Sequence, residues 1–319
     1  MAGAGPMAEA HVCALVQAGY APNRILVVGR GRERVEALAA RHGVGAAWGG
    51  AEALESSAPI AVVAVTEDAL AATATALVER GATRVLVEKP GALEPADLDR
   101  LATCAREAGT LAYVAYNRRF YTSVARARSL IEADGGPLTL AFEFSEVERL
   151  VLEDAERRSL PREVLSRWGL ANSLHVIDLA FFLAGEPTRI SAEHDGALPW
   201  HPAGAVYAGS GGTELGALFA YHAAWSGAGR WAVEVTTSAR KLVLRPLETL
   251  QQQLRGSFAL EQVDLPFESP GVKPGLRGQL AAFLGRDDAE ALCTLDTAVA
   301  RLEIGREILG YGARPQIER

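Results

Sequence analysis

Lys89 ends the run Val85-Leu-Val-Glu-Lys-Pro90, in which apolar residues give way at once to a carboxylate, an amine and a ring-locked residue. The run predicts a buried strand that delivers a lysine to its carboxyl end, and in open parallel α/β sheets ligands bind just outside those ends. Composition sharpens the reading. The chain has 29 Arg but only three Lys, at 89, 241 and 273, so where a plain positive charge suffices it writes Arg. A guanidinium stays protonated, whereas burial and neighbouring charge bring an ammonium into the range where it gives and takes a proton. Lys89 is therefore a candidate acid-base group, set against the plainer reading of a surface lysine at a strand end.

A second constellation stands at the start of the chain. Gly3-Ala4-Gly5-Pro6-Met7-Ala8 matches G-x-G-x-x-A, a loop whose glycines let the backbone approach a pyrophosphate at a helix N-terminus. Gly3, Gly5, Pro6 and Met7 are accordingly candidate cofactor contacts, the alternative being a flexible Gly/Ala leader. The motif requires a strand before it, and Met1 sits where that strand should already be ending. The first strand is thus expected to be missing or truncated, leaving a gap of about 4.8 Å in a doubly wound sheet. Either the natural start lies upstream or the cofactor site is degraded. On that reading the chain as written binds dinucleotide weakly, and about six added residues raise affinity. The next strand ends Val27-Val28-Gly29-Arg30-Gly31-Arg32. An NAD-preferring loop carries an acid there; two arginines in its place favour a 2′-phosphate, hence NADP(H) over NAD(H), unless they are merely an exposed turn.

These groups need a scaffold, and the chain writes one. Up to about residue 117, short β-branched runs (Ile25–Val28, Val44–Ala47, Ile60–Val65, Arg84–Val87, Leu111–Ala115) alternate with helical segments (His11–Ala18, Arg32–Arg41, Ala69–Arg80, Pro95–Ala108). That order predicts a parallel sheet with crossover helices. Beyond it, Leu138–Phe144, Leu215–Tyr221, Trp231–Thr237 and Lys241–Leu244 predict an antiparallel sheet with one wetted face. Helices are expected near Asn172–Leu183, Gly275–Leu284 and Leu295–Leu309, and turns at Gly209-Ser-Gly-Gly212 and Glu268-Ser-Pro-Gly271. The division is residues 1–117 and 118–319. A net charge of -7 argues against nucleic acid as the principal partner. Cys13, Cys104 and Cys293 lie far apart in no metal-like spacing, so neither a disulfide framework nor a metal site is expected. With no stretch of about 18 apolar residues, the expected setting is cytoplasmic, away from membranes.

Taken together, Gly3-Ala-Gly5, Glu88-Lys89-Pro90, Tyr116-Asn-Arg-Arg-Phe120 and Asn172-Ser-Leu-His175-Val-Ile-Asp178, in this order, resemble the Gfo/Idh/MocA oxidoreductases, the family of glucose–fructose oxidoreductase and inositol dehydrogenase. The resemblance implies a Rossmann domain followed by an α/β domain with a large open antiparallel sheet, used for assembly into a homodimer or homotetramer. It implies NAD(P)-dependent hydride transfer at a hydroxyl or carbonyl carbon of a sugar, nucleotide-sugar or cyclitol-like substrate. Carried over, Lys89 contacts cofactor and reacting oxygen, Glu88 and Pro90 hold its backbone, and His175 is the second acid-base group. Asn117 and Arg119 would shape the mouth of the substrate site.

Two departures bear on the site. Inositol-type members place an aspartate four residues before the histidine; here that position is Ala171, with Asn172 the nearest polar substitute. The strand ending Ala64-Val65 continues Thr66-Glu67-Asp68 in place of the family's proline-containing turn, leaving Thr66 as the candidate contact there. Arg118, Arg167, Trp168 and Arg230-Trp231 suit a phosphorylated or nucleotide-linked sugar if they lie near the cleft, and are otherwise solvated surface. Two other functions share these residues: an imine or enone reductase on the same fold, and a non-catalytic nucleotide-binding relative.

Overall fold

In the computed structural model, which describes residues 1–266, 271–287 and 289–311, residues 1–120 and 271–302 form one unit, and 121–266 and 303–311 a second. The segment from 271 to 302 thus returns to the N-terminal unit.

The first unit alternates α1 (Pro6–Gln17), β1 (Leu26–Gly29), α2 (Arg32–His42), β2 (Gly45–Trp48), β3 (Ile60–Val63), α3 (Leu70–Glu79), β4 (Arg84–Glu88), α4 (Pro95–Glu107) and β5 (Leu111–Ala115). Strand β1 pairs parallel with β2, and β3, β4 and β5 pair parallel in that order, with Cys293–Thr294 antiparallel on β5. Helix α1 starts well before the expected His11, because Pro6 at its first position arrives with its φ already helical. The two parallel runs meet at the chain start. Ala2 bridges Val28 on one side and Val63 on the other. The Val28 N–H donates to Met1 O and the Gly3 N–H to Val28 O, both at 2.8 Å; across the gap Ala2 N–H reaches Val62 O and Ala64 N–H reaches Ala2 O. Ala2 is therefore paired on both sides and holds the glycine loop in place between β1 and β3. Ala8, Val12, Ile25, Val27, Val35 and Leu38 pack beneath it.

The second unit carries α5 (Thr122–Ala133), β6 (Thr139–Phe144), α6 (Glu148–Arg158), α7 (Arg162–Ser166), a π-turn at Gly169–Ser173, α8 (Leu174–Ala184), and strands β7 (Pro187–Asp195), β8 (Val206–Thr213), β9 (Leu218–Ala224), β10 (Trp231–Thr236), β11 (Arg240–Leu244), β12 (Gln251–Leu254) and β13 (Glu261–Gln262). The sheet order is β13-β12-β11-β10-β6-β9-β8-β7, antiparallel except between β6 and β9. Leu140, Phe142 and Phe144 alternate inward on β6, where Phe142 stacks on Tyr221 at 5.2 Å and meets Phe181 of α8 edge-on. Alternation on the other face leaves Thr139 and Ala141 exposed, as expected of a sheet with one wetted side.

Gly209-Ser-Gly-Gly212 is not a turn but the middle of β8. Gly209 pairs with Tyr221 and Gly211 with Phe219, and a Cβ at either would stand 2.3 or 2.4 Å from the opposing aromatic side chain. The glycines make room for rings that cross the strand, a cross-strand requirement that a local reading takes for a loop. Of the second expected turn, residues 268–270 lie outside the described residues. Helices α6 and α7 were not signalled by periodicity; α6 buries only Val151 and is laced instead by pairs such as Arg149–Glu153. No helix among the described residues is long and apolar enough to cross a membrane.

Candidate active site

In the first unit, three strand ends and one helix start carry the candidate chemistry. Gly3 has φ 118°, and a Cβ there would sit 2.1 Å from the Ala64 carbonyl oxygen, so only glycine passes between β1 and β3. Gly5 is the N-cap of α1, with no side-chain cap, and a Cβ at Gly5 would meet nothing within 4 Å. The uncapped N–H groups of the first turn therefore face open space at the positive end of a helix. That is a fit for a dinucleotide's pyrophosphate. At the end of β1, Arg30 and Arg32 are both exposed, but Arg32 lies over the Trp48 ring at 4.4 Å and donates to Glu36 at 2.8 Å. Arg30 is the more available of the two. After β3, Thr66 is exposed and closes a turn by accepting the Ala69 N–H, while Glu67 is buried.

At the end of β4 the sequence reading meets a partner it did not contain. Glu88 is buried, and its carboxylate takes a 2.7 Å hydrogen bond from Nε2 of fully buried His11, on α1. The helix that opens at the glycine loop is thereby tied to the residue before Lys89. Burial pushes the Glu88 carboxyl up, but the His11 bond and the charges of His11, Lys89 and Lys273 outweigh it and hold it below the usual carboxylate range. Lys89 is partly exposed, and its peptide to Pro90 is cis. Desolvation lowers its ammonium to about 8, aided by Arg118 and Lys273 and opposed by Glu67 and Glu88. Lys273, which sequence reading passed over, places Nζ 3.0 Å from the Met7 sulfur, beside the glycine loop. Asn117 is buried and donates to Pro274 O, and Arg119 is buried over the Tyr116 ring.

In the second unit, Trp168, Asn172 and His175 fall on one continuous stretch: Trp168 precedes the π-turn, Asn172 lies in it, and His175 is on the first turn of α8. Single π-turns inside helices are frequent at functional sites. His175 and Trp168 are buried, and the His175 ring lies 6.2 Å from that of Trp231. The turn is fixed from two directions. Asn172 Nδ2 donates to both Glu146 oxygens at 3.1 Å, and Ser173 Oγ donates to Glu146 at 2.6 Å. At its start, the Gly169 N–H donates to the Tyr311 hydroxyl, which also bonds Nε2 of buried His201. Burial lowers His201 to about 4, so its ring is neutral; with Nδ1–H donating to Gly204 O, Nε2 accepts from Tyr311. Neither Glu146 nor Tyr311 was visible in the sequence, since each meets the turn only through the folded sheet.

A parallel sheet that offers a glycine loop, an open helix N-terminus and a lysine at a strand end suits a nicotinamide dinucleotide. Residues 1–116 match the Gfo/Idh/MocA family model, described as an oxidoreductase family with an NAD-binding Rossmann fold. Solved structures extend the likeness across the chain. A UDP-N-acetylglucosamine 3-dehydrogenase from Acidithiobacillus ferrooxidans shares the fold with a TM-score of 0.75 at 18% identity, covering 96% of this chain and 94% of the other. A levoglucosan dehydrogenase in complex with NADH gives 0.77 at 19%, with 97% and 94% covered. An oxidoreductase from Agrobacterium radiobacter, in complex with NAD+, L-tartaric acid and magnesium, gives 0.77 at 13%, with 96% and 93% covered. At such identities the likeness shows the fold. No curated protein matches the sequence.

Proposed function

We propose that this chain transfers a hydride between NAD(P)(H) and a hydroxyl- or carbonyl-bearing carbon of a sugar-like substrate, with Lys89 and His175 as its acid-base groups. The observation that carries this reading is Lys89 itself: an amine at a strand's carboxyl end, lowered to about 8, in the same unit as the glycine loop. When bound, the nicotinamide cofactor supplies or accepts the hydride. The backbone at Gly3 to Met7 would hold its pyrophosphate, with Thr66 and Lys89 as further contacts. The remaining task is a proton at the substrate oxygen. A lysine near 8 holds ammonium and amine in comparable amounts just above neutrality, so it can release a proton to a forming alkoxide or take one from a hydroxyl. Fold relatives that are a nucleotide-sugar dehydrogenase and an anhydrosugar dehydrogenase support a carbohydrate-like substrate. The open, mostly antiparallel sheet of the second unit supports assembly into a homodimer or homotetramer.

The same reading prefers NADP(H), because β1 ends in Gly29-Arg30 with no acid to meet a ribose hydroxyl. Since Arg32 is engaged by Trp48 and Glu36, Arg30 carries most of the preference. Arg30→Ala should weaken NADPH by roughly 1.5–3 kcal/mol, the worth of a charge-assisted contact, and leave NADH nearly unchanged. Fluorescence titration with each nucleotide measures both. Equal weakening of the two, or tighter NADH binding by the wild-type chain, would remove the preference.

A further inference from the structure

Trp48, the last residue of β2, is 47% exposed, whereas Trp168, Trp200 and Trp225 are buried. Strand β2 runs parallel to β1 with Trp48 opposite Gly29, so the indole stands at the carboxyl edge of the sheet beside the Arg30–Arg32 turn. It does not stand alone there. The Arg32 guanidinium lies over the ring, 4.4 Å from its centroid, and Arg32 Nε donates to Glu36 one turn further along α2 at 2.8 Å. Ring and carboxylate together fix the guanidinium plane. One face of that plane rests on the indole, while the Arg32 side chain as a whole stays 66% exposed. A planar cation held in this way is ready to stack on a second flat π-system with its outer face.

The surroundings decide which flat group would arrive. Gly29 abuts the glycine loop, since a Cβ there would come 4.0 Å from the Ala4 Cβ. A dinucleotide whose pyrophosphate lies at the start of α1 therefore brings its adenosine ribose to the end of β1 and its base to the groups just beyond. The approach is open. Helix α2 begins without a side-chain cap at Gly31, and a Cβ at Gly31 would meet nothing within 4 Å. We propose that Trp48 and Arg32 form the adenine platform of this unit, the indole backing the guanidinium and the purine stacking on its outer face. Arg32 then serves NADPH and NADH alike, and the choice between them stays with Arg30. The inference rests on the reading of this unit as a nicotinamide dinucleotide site and adds Trp48 to it, a residue that no motif announces.

Calorimetric titration of NADPH, NADH and ADP-ribose, the last lacking nicotinamide, into the wild-type chain and three variants tests the platform. Arg32→Lys keeps the charge but loses the plane, and Trp48→Leu keeps apolar bulk but loses the ring. Each should weaken all three ligands by the same factor, on the order of tenfold. Trp48→Phe restores a ring beneath the guanidinium and should bind within about twofold of wild type. Unchanged affinities in Arg32→Lys or in Trp48→Leu, each checked for cooperative melting, overturn the proposal; should one of them not fold, the other decides by the same criterion. A loss confined to NADPH, which places Arg32 on the 2′-phosphate, overturns it too, as does a Trp48→Phe no better than Trp48→Leu. ADP-ribose bound with the expected losses, but no saturable binding of NADPH or NADH, would sink the oxidoreductase reading alone. A wild-type chain that binds none of the three overturns both.

Discussion

Replacing Lys89 by Met lowers turnover by on the order of 10²–10⁴, and replacing it by Arg does nearly the same, because proton transfer needs a group that titrates near the working pH. The Arg variant is the sharper test. It keeps the positive charge and most of the bulk, but a guanidinium does not give up its proton. The wild-type Lys89, lowered to about 8 mainly by burial, should also write its titration into the rates. The oxidation direction, which needs the amine, should rise as pH climbs through 8, and the reduction direction, which needs the ammonium, should fall over the same window. Steady-state rates on a panel of sugars, UDP-N-acetylglucosamine and levoglucosan among them, supply the measurement. Near-normal turnover in Lys89→Arg would remove Lys89 from the proton path.

His11→Leu should destabilise the first unit by about 1–3 kcal/mol or more at neutral pH, the cost of leaving a buried carboxylate without its hydrogen-bond donor. The cause is local. In the native chain burial pushes the Glu88 carboxyl up, but the His11 bond together with the charges of His11, Lys89 and Lys273 outweighs it and keeps the carboxyl low. A carboxyl lowered on folding contributes stability above its unfolded pKa and loses it as pH falls through the folded value. Without His11, only the smaller pulls of Lys89 and Lys273 oppose burial, so the Glu88 carboxyl rises, and the variant carries the penalty of a buried charge at neutral pH and sheds it when Glu88 protonates. The gap between variant and wild type should therefore be widest near pH 7 and narrow toward pH 4. Urea unfolding at a series of pH values follows it. A loss of the same size at every pH would show that His11 acts by packing alone.

How far the sequence carries such reasoning depends on how local each contact is. The five parallel strands, their helices and the strand-end position of Lys89 were legible because each is written in a few consecutive residues with its own periodicity. The placement of Asn172 and His175 at a helix start was legible for the same reason. The His11–Glu88 bond spans 77 positions, the Glu146 bonds to Asn172 and Ser173 span 26 and 27, and Gly169–Tyr311 spans 142; nothing in either local segment announces them. Met1 to Gly3 is too short for a strand signal, yet it pairs on both sides because the neighbouring strands are already in place. The glycines of β8 misled for the opposite reason, since their rule is set by Tyr221 and Phe219 across the strand.

The central claim, that the first unit binds a nicotinamide dinucleotide through its glycine loop, is tested most directly by titrating NADPH into the wild-type chain and into Gly3→Val, following nucleotide fluorescence. Because Ala2 and Gly3 are held by backbone bonds on both sides, the wild-type chain should bind saturably with one site per chain. A side chain at position 3 would collide with the Ala64 carbonyl at 2.1 Å, so Gly3→Val, checked for cooperative melting, should show no saturable binding. A wild-type chain that gives no saturable change with NADPH or NADH, or a folded Gly3→Val that binds as well as wild type, would contradict the account.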